Sequence, residues 1–151
     1  MTTTTGENLS LTVSRTLKAS RDAVFRAWTN PTALKQWLLP APDFRLPVAE
    51  VDLRVGGSYR FEMVAPDGEQ FIGFGTYQEI EPPAKLVFTW NWETSTVEPD
   101  ETLITVELRD VGGATELLLT HSRLSSQLSQ ERHGHGWAGC LDSLQAYIEG
   151  V

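Results

Sequence analysis

The chain is poor in cysteine and in positive charge, and it has no long apolar run. Cys140 is its single cysteine, which excludes an internal disulfide and points to a reducing setting. Lysine and arginine number 12 against 20 aspartates and glutamates, a formal charge of −8 that leaves no basic face for nucleic acid or an anionic membrane. No stretch reaches transmembrane length and no secretory apolar segment opens the chain, so a cytoplasmic protein is expected. Also missing are the G-x-S-x-G, H-E-x-x-H and P-loop motifs. The sequence therefore names no catalytic residue, and no cofactor is expected.

What is present is apolar patterning. Apolar residues make up 40% of the chain and include five tryptophans, which suits a globular protein with a real core. Residues 1–8, MTTTTGEN, read as a polar tail, and 9–151 as one domain. The longest signal is Ser129–Val151. On a 3.6-residue helix Trp137, Cys140, Leu141, Leu144, Tyr147 and Ile148 share one stripe. Ser129 is the expected N-cap and Gly150 the stop. Such a helix is about 30 Å long, enough to cross a sheet.

Upstream the period is two. Leu9, Leu11 and Val13 alternate with polar residues as a half-buried strand. Two short helices follow, one capped by Ser20 with Val24, Phe25 and Trp28. The other starts at Asn30-Pro31, carries Leu34, Trp37 and Leu38, and ends at Pro40. From Phe44 on, the reading is almost all strand. Phe44–Val55 is interrupted at Pro47, which marks an edge or a bulge. Ser58–Val64 and Glu69–Ile80 flank an Asp67-Gly68 hairpin turn. Lys85–Trp92, Thr102–Leu108 and Thr115–His121 complete the set, with Glu93–Glu101 as a polar, solvated loop. The order β-α-α-β-β-β-β-β-β-α is an α+β pattern.

Three features invite functional readings. Gly134–Gly139 matches the G-x-G-x-x-G dinucleotide fingerprint but lacks the preceding strand and the later acidic residue, so nucleotide binding is not expected. His133 and His135 lie two apart on a helix and do not share a face, so no metal site is expected from them and Cys140. His121 falls on the strand face of Leu117 and Leu119, and His133 falls on the helix stripe. Both reach the space between sheet and helix, as satisfied polar groups at its rim or as parts of a site. The aromatic residues read first as core. Gly73, Gly75 and Gly134, however, remove side-chain bulk where an apolar pocket would lie.

Several short runs together resemble a known family. They are Phe25–Trp28 with Pro31 and Trp37, Val55-Gly56-Gly57-Ser58-Tyr59-Arg60-Phe61, and Glu79-Ile80-Glu81-Pro82-Pro83. Leu86-Val87-Phe88-Thr89-Trp90, Thr120-His121, and Gly136-Trp137 leading into Leu141 and Leu144 complete the set. In this order they are similar to the SRPBCC superfamily (START or birch-pollen-allergen-like), and within it to the family of heat-shock-protein-90 ATPase activator homologues. The resemblance implies a helix-grip fold, a curved antiparallel sheet of about seven strands around the long C-terminal helix. It implies an apolar cavity between sheet and helix, and a carrier, a cyclase or a stress-response co-chaperone domain. No catalytic residues come with it.

The expected function is therefore a binding module for a small apolar or aromatic molecule. Its candidate site residues are Trp37, Tyr59, Phe61, Met63, Phe71, Trp90, Trp137 and Leu141 as walls, with His121 and His133 as orienting polar groups. The alternatives are a protein-interaction domain of the chaperone-activator type and a cyclase-like enzyme in the same cavity. A tightly filled interior favours the interaction domain. A buried His121 with a strongly shifted pKa favours the enzyme. The chain is expected to act as a monomer or a homodimer.

Overall fold

The computed structural model describes residues 8–94 and 98–150. Among these, seven strands form one curved antiparallel sheet: β1 (Leu9–Leu17), β2 (Arg45–Val51), β3 (Ser58–Val64), β4 (Gln70–Glu81), β5 (Lys85–Trp92), β6 (Thr102–Val111) and β7 (Ala114–Leu124). Their spatial order is β1-β7-β6-β5-β4-β3-β2, so the first two strands in sequence form the two edges. Helices α1 (Arg21–Thr29) and α2 (Pro31–Trp37) bridge from one edge to the other, and α3 (Gln127–Glu149) lies in the hollow of the sheet. This is the α+β helix-grip architecture. No helix among the described residues is long and apolar enough to cross a membrane.

Local chemistry sets the ends of these elements. Ser20 accepts a hydrogen bond from Ala23 N and caps α1. Asn30 does the same for Ala33 N at the start of α2, with Pro31 at the first helical position. Trp37 Nε1 donates to the Ala27 carbonyl at 2.8 Å and locks the two short helices together. Gly68, at φ +90°, makes the β3–β4 turn that a side chain would strain.

Three expectations need correction. The strand expected over Phe44–Val55 pairs only from Arg45 to Val51, with its register broken between Arg45 and Val48, around Pro47. Proline has no N–H to give the ladder. The long helix begins three residues earlier than expected. Ser126 is the extended N-cap and its hydroxyl accepts from Ser129 N, while Ser129 lies buried inside the first turn. The expected stripe also departs at Tyr147, which is exposed; Leu144 is the last fully buried residue of the helix, and Ile148 packs half-buried against the core.

The core fills the sheet's inner face. Ile104, Val106, Leu117 and Leu119 on the central strands, Leu17 on β1, and Leu141 and Leu144 on α3 are almost completely buried. Each large side chain removed from water in this way contributes about 1.5–3 kcal/mol. Toward the other end of α3 the filling becomes aromatic, with Trp90 and Trp137 ring centroids 5.9 Å apart and Trp28 and Trp137 6.0 Å apart.

Candidate functional site

Beneath the N-terminal half of α3 the packing opens. A chamber of about 90 Å³ is walled by Leu38, Pro40, Met63, Trp90, Trp92, Trp137 and Cys140, with His121, Arg132, His133 and Gly136 completing it. It adjoins an outer cleft of about 640 Å³ that shares Pro40, Met63, Trp92, Arg132, His133 and Gly136 and adds Phe44, Glu69, Phe71 and Thr94. The sequence periods build this wall. Alternation on β5 puts Trp90 and Trp92 on one face, and the 3- and 4-residue spacing of His133, Gly136, Trp137 and Cys140 puts them on one side of α3. A separate void of about 10 Å³, lined in part by Trp28, Phe61, Trp90 and Trp137, lies deeper and is about the size of one water molecule.

The two histidines form the polar end of the chamber, and their hydrogen bonds fix their tautomers. An indole N–H can only donate. Trp92 Nε1 donates to His133 Nε2 at 2.9 Å, so the His133 proton sits on Nδ1, which donates to the Ser129 carbonyl at 2.8 Å. Trp137 Nε1 donates to His121 Nδ1 at 3.0 Å, so the His121 proton sits on Nε2, 2.7 Å from Thr102 Oγ1. That hydroxyl donates onward to the Trp90 carbonyl at 3.0 Å. The imidazole centroids are 4.6 Å apart. Burial, aided by the neighbouring His133, holds the His121 pKa well below the usual histidine value. Burial also lowers His133, against the opposing pull of the Ser129 carbonyl and the Glu98 charge. Both rings are thus neutral, with both nitrogens engaged.

Glu98 corrects the expectation of a solvated acidic loop. It is 1% exposed, and it accepts from Ser125 N at 2.9 Å and from Ser129 Oγ at 2.7 Å. Burial pushes its carboxyl pKa up, but the hydrogen bonds from Ser125, Ser129 and Asp100 outweigh that and leave it below the ordinary value. The carboxylate ties the β5–β6 connection to the first turn of α3, the turn that carries the carbonyl acceptor of His133. The expected rim position of His121 is corrected too: it is fully buried, at the chamber's inner end.

Of the expected site residues, Met63, Trp90, His121, His133 and Trp137 line the chamber, and Phe71 lines the outer cleft. Phe61 faces the deep void only. Trp37, Tyr59 and Leu141 line none of these spaces and are packed in the core; the Tyr59 hydroxyl donates to the Thr89 carbonyl. The glycines also divide differently from expectation. A Cβ on Gly73 would sit 2.4 Å from the Trp90 ring, and one on Gly75 would sit 2.2 Å from the Thr89 carbonyl oxygen. Those two glycines admit neighbours and do not open a pocket. Gly134 faces Leu11. The glycine that lines both cavities is Gly136, where an added Cβ would meet nothing within 4 Å. Its position three after His133 and four before Cys140 was the available signal. Arg132, exposed at the mouth, and Leu38 and Pro40, from the turn after α2, carried no such signal.

Chemically the site offers apolar walls and few reactive groups. Burial pushes the Cys140 thiol up to about 12, so it stays protonated at neutral pH. Trp90 Nε1 is buried without a partner among the described residues. No group of three His, Cys, Asp or Glu residues among those described is placed to hold a metal ion.

A family model described as Activator of Hsp90 ATPase homolog 1-like protein matches residues 18–149. Solved structures match over nearly the whole chain. One from Chromobacterium violaceum is 28% identical, with a TM-score of 0.85 over 93% of this chain and 96% of that one. Another from Rhizobium leguminosarum is 26% identical, with a TM-score of 0.82 over 96% and 97%. The AHSA1-like protein from Aeromonas hydrophila is 25% identical, with a TM-score of 0.80 over 94% and 93%. No curated protein matches the chain.

Proposed function

The chain belongs to the family of Activator of Hsp90 ATPase homolog 1-like proteins, within the SRPBCC superfamily, and from that premise we propose that it is a binding module for a small apolar or aromatic molecule. The ligand sits between the sheet and α3, with its inner end among Trp90, His121, Trp137 and Cys140 and its outer part against Met63 and Trp92. The observation that carries this reading is Gly136. A glycine inside a helix costs about 0.5–1 kcal/mol relative to alanine, yet nothing within 4 Å of its missing Cβ requires it. What its absent side chain leaves is room in both cavities. The test is native mass spectrometry of the purified protein and a thermal-shift screen of apolar and aromatic compounds, run beside Gly136→Leu. A co-purifying hydrophobe, or a saturable rise in Tm that Gly136→Leu abolishes, supports the reading. A clean apo mass with no stabilising compound overturns it.

A cyclase-like reaction in the same cavity is a second reading, favoured by one observation. His121 is buried, lines the chamber and has its pKa held well below the usual value. A bound compound recovered chemically changed by the wild type, and unchanged by His121→Gln, supports it. Recovery unchanged from both sinks it.

A further inference from the structure

We propose that the ligand is an apolar monocarboxylate, with its body in the chamber and its carboxylate on Arg132 at the mouth; this rests on the binding reading above and names the class of molecule bound. Three features of the site converge on it. First, the chamber's inner end offers no cation. His121 and His133 are neutral, all four of their ring nitrogens are engaged, and apart from Arg132 at the mouth the other walls are apolar or aromatic, with the Trp90 indole N–H the one donor among them left without a partner among the described residues. A carboxylate pushed inward would lose its hydration with no cation to meet it, a cost of several kcal/mol.

Second, Arg132 is the one lysine or arginine among the described residues that line either space, and it lines both. It stands on α3 one residue before His133 and one turn before Gly136, at the point where the chamber meets the cleft. Like Lys18, Arg21, Arg26, Lys35, Arg45 and Arg123, it forms no ion pair with any carboxylate among the described residues, so no internal carboxylate competes for its guanidinium. Its guanidinium presents a fork of donors matched to a carboxylate.

Third, Glu69 is the only acidic residue among the described residues that line the outer cleft, so those residues bring one cation and one anion to it. One carboxylate on the ligand suits that balance. A dianion would set its second charge against Glu69, and for a ligand whose body fills the chamber Arg132, which borders both spaces, is the nearer charge, since Glu69 lines the cleft alone.

Three probes with the same body separate the possibilities: 4-phenylbutyrate, 4-phenylbutanol and 4-phenylbutylamine, titrated calorimetrically into wild type, Arg132→Gln and Gly136→Leu. The wild type is expected to bind the acid about fivefold more tightly than the alcohol, the size of a solvent-exposed ion pair. It is expected to bind the amine most weakly. The preference for acid should shrink at about 0.5 M salt and vanish in Arg132→Gln, which weakens the acid more than the alcohol. Gly136→Leu should lose acid and alcohol alike. Equal binding of acid and alcohol by wild type, or a preference that survives Arg132→Gln, overturns the carboxylate assignment and leaves the apolar site standing. Failure of all three probes to bind wild type overturns both.

Discussion

The two halves of α3 meet the same sheet in opposite ways. The C-terminal half presses Leu141 and Leu144 into a core containing Leu17, Leu117 and Leu119, every one of them fully buried. The N-terminal half, from His133 to Cys140, stands over a chamber and a cleft, where its His133 accepts from the Trp92 indole and its Trp137 indole donates to His121. Two glycines three residues apart mark the change. Gly139 is demanded by packing, because a Cβ there would lie 2.0 Å from the Pro40 carbonyl oxygen. Gly136 has open space around it. One helix therefore serves as a core element at one end and as the roof of a chamber and a cleft at the other. The stability given up at the second end sits where function is sought.

The largest effect that sharpens this contrast is expected on the packed side. Leu144→Ala should cost about 2–5 kcal/mol in urea unfolding, because its side chain is fully buried in the core. A cost below about 1 kcal/mol would mean that the two halves are not packed differently. Next is Gly139→Ala, expected to destabilise by about 1–3 kcal/mol as α3 is forced off Pro40. Gly136→Ala should do the reverse and raise stability by about 0.5–1 kcal/mol, since the helix gains a better former with no clash. Opposite signs at two positions on one helix are the sharpest form of the comparison, and equal signs would break it.

The effect of pH is the smallest near neutrality and belongs to the hollow half. The folded-state pKa values of His121 and His133 lie below the unfolded value of about 6.5. Below that pH the unfolded chain takes up protons that the folded chain refuses. Stability should therefore be full above about pH 6.5 and decline as the pH falls toward the folded values. Glu98, also lowered, adds a further decline as the pH falls below the ordinary carboxylate range of about 4.5. Urea midpoints measured between pH 8 and pH 4 check both steps. A midpoint that rises on acidification from pH 7 to pH 5 would contradict the neutral, fully bonded histidines.

The fold was legible because its signals are local and repeated. Strand alternation, the Asp67-Gly68 turn, the Ser20 and Asn30 caps and the stripe on the last helix each specify their own stretch. The start of α3 was less so: Ser126 and Ser129 are both good caps by type, and only the demand of Glu98 for the Ser129 hydroxyl decides between them. That demand is set by a residue about thirty positions away. The candidate site was legible in part. Parity placed His121 and His133 facing the helix–sheet space, but no local pattern could show that Trp92 and Trp137 would occupy one nitrogen of each. Trp37 and Tyr59 sit in the core and not in the chamber wall, a distinction the sequence does not carry because aromatic residues in a core and in a pocket look alike in it. Which glycine leaves space open depends on what stands opposite it, and only three-dimensional packing supplies that.

The indole N–H signals of the five tryptophans test the account most directly. Protein labelled with ¹⁵N would be titrated with 4-phenylbutanol and followed by heteronuclear NMR. The signals of Trp90, Trp92 and Trp137, which line the chamber, should shift in a saturable way. That of Trp37, bound to the Ala27 carbonyl in the core, should stay in place. Shifts spread evenly over all five signals, or no shift at saturating ligand, would contradict a binding site beneath the N-terminal half of α3.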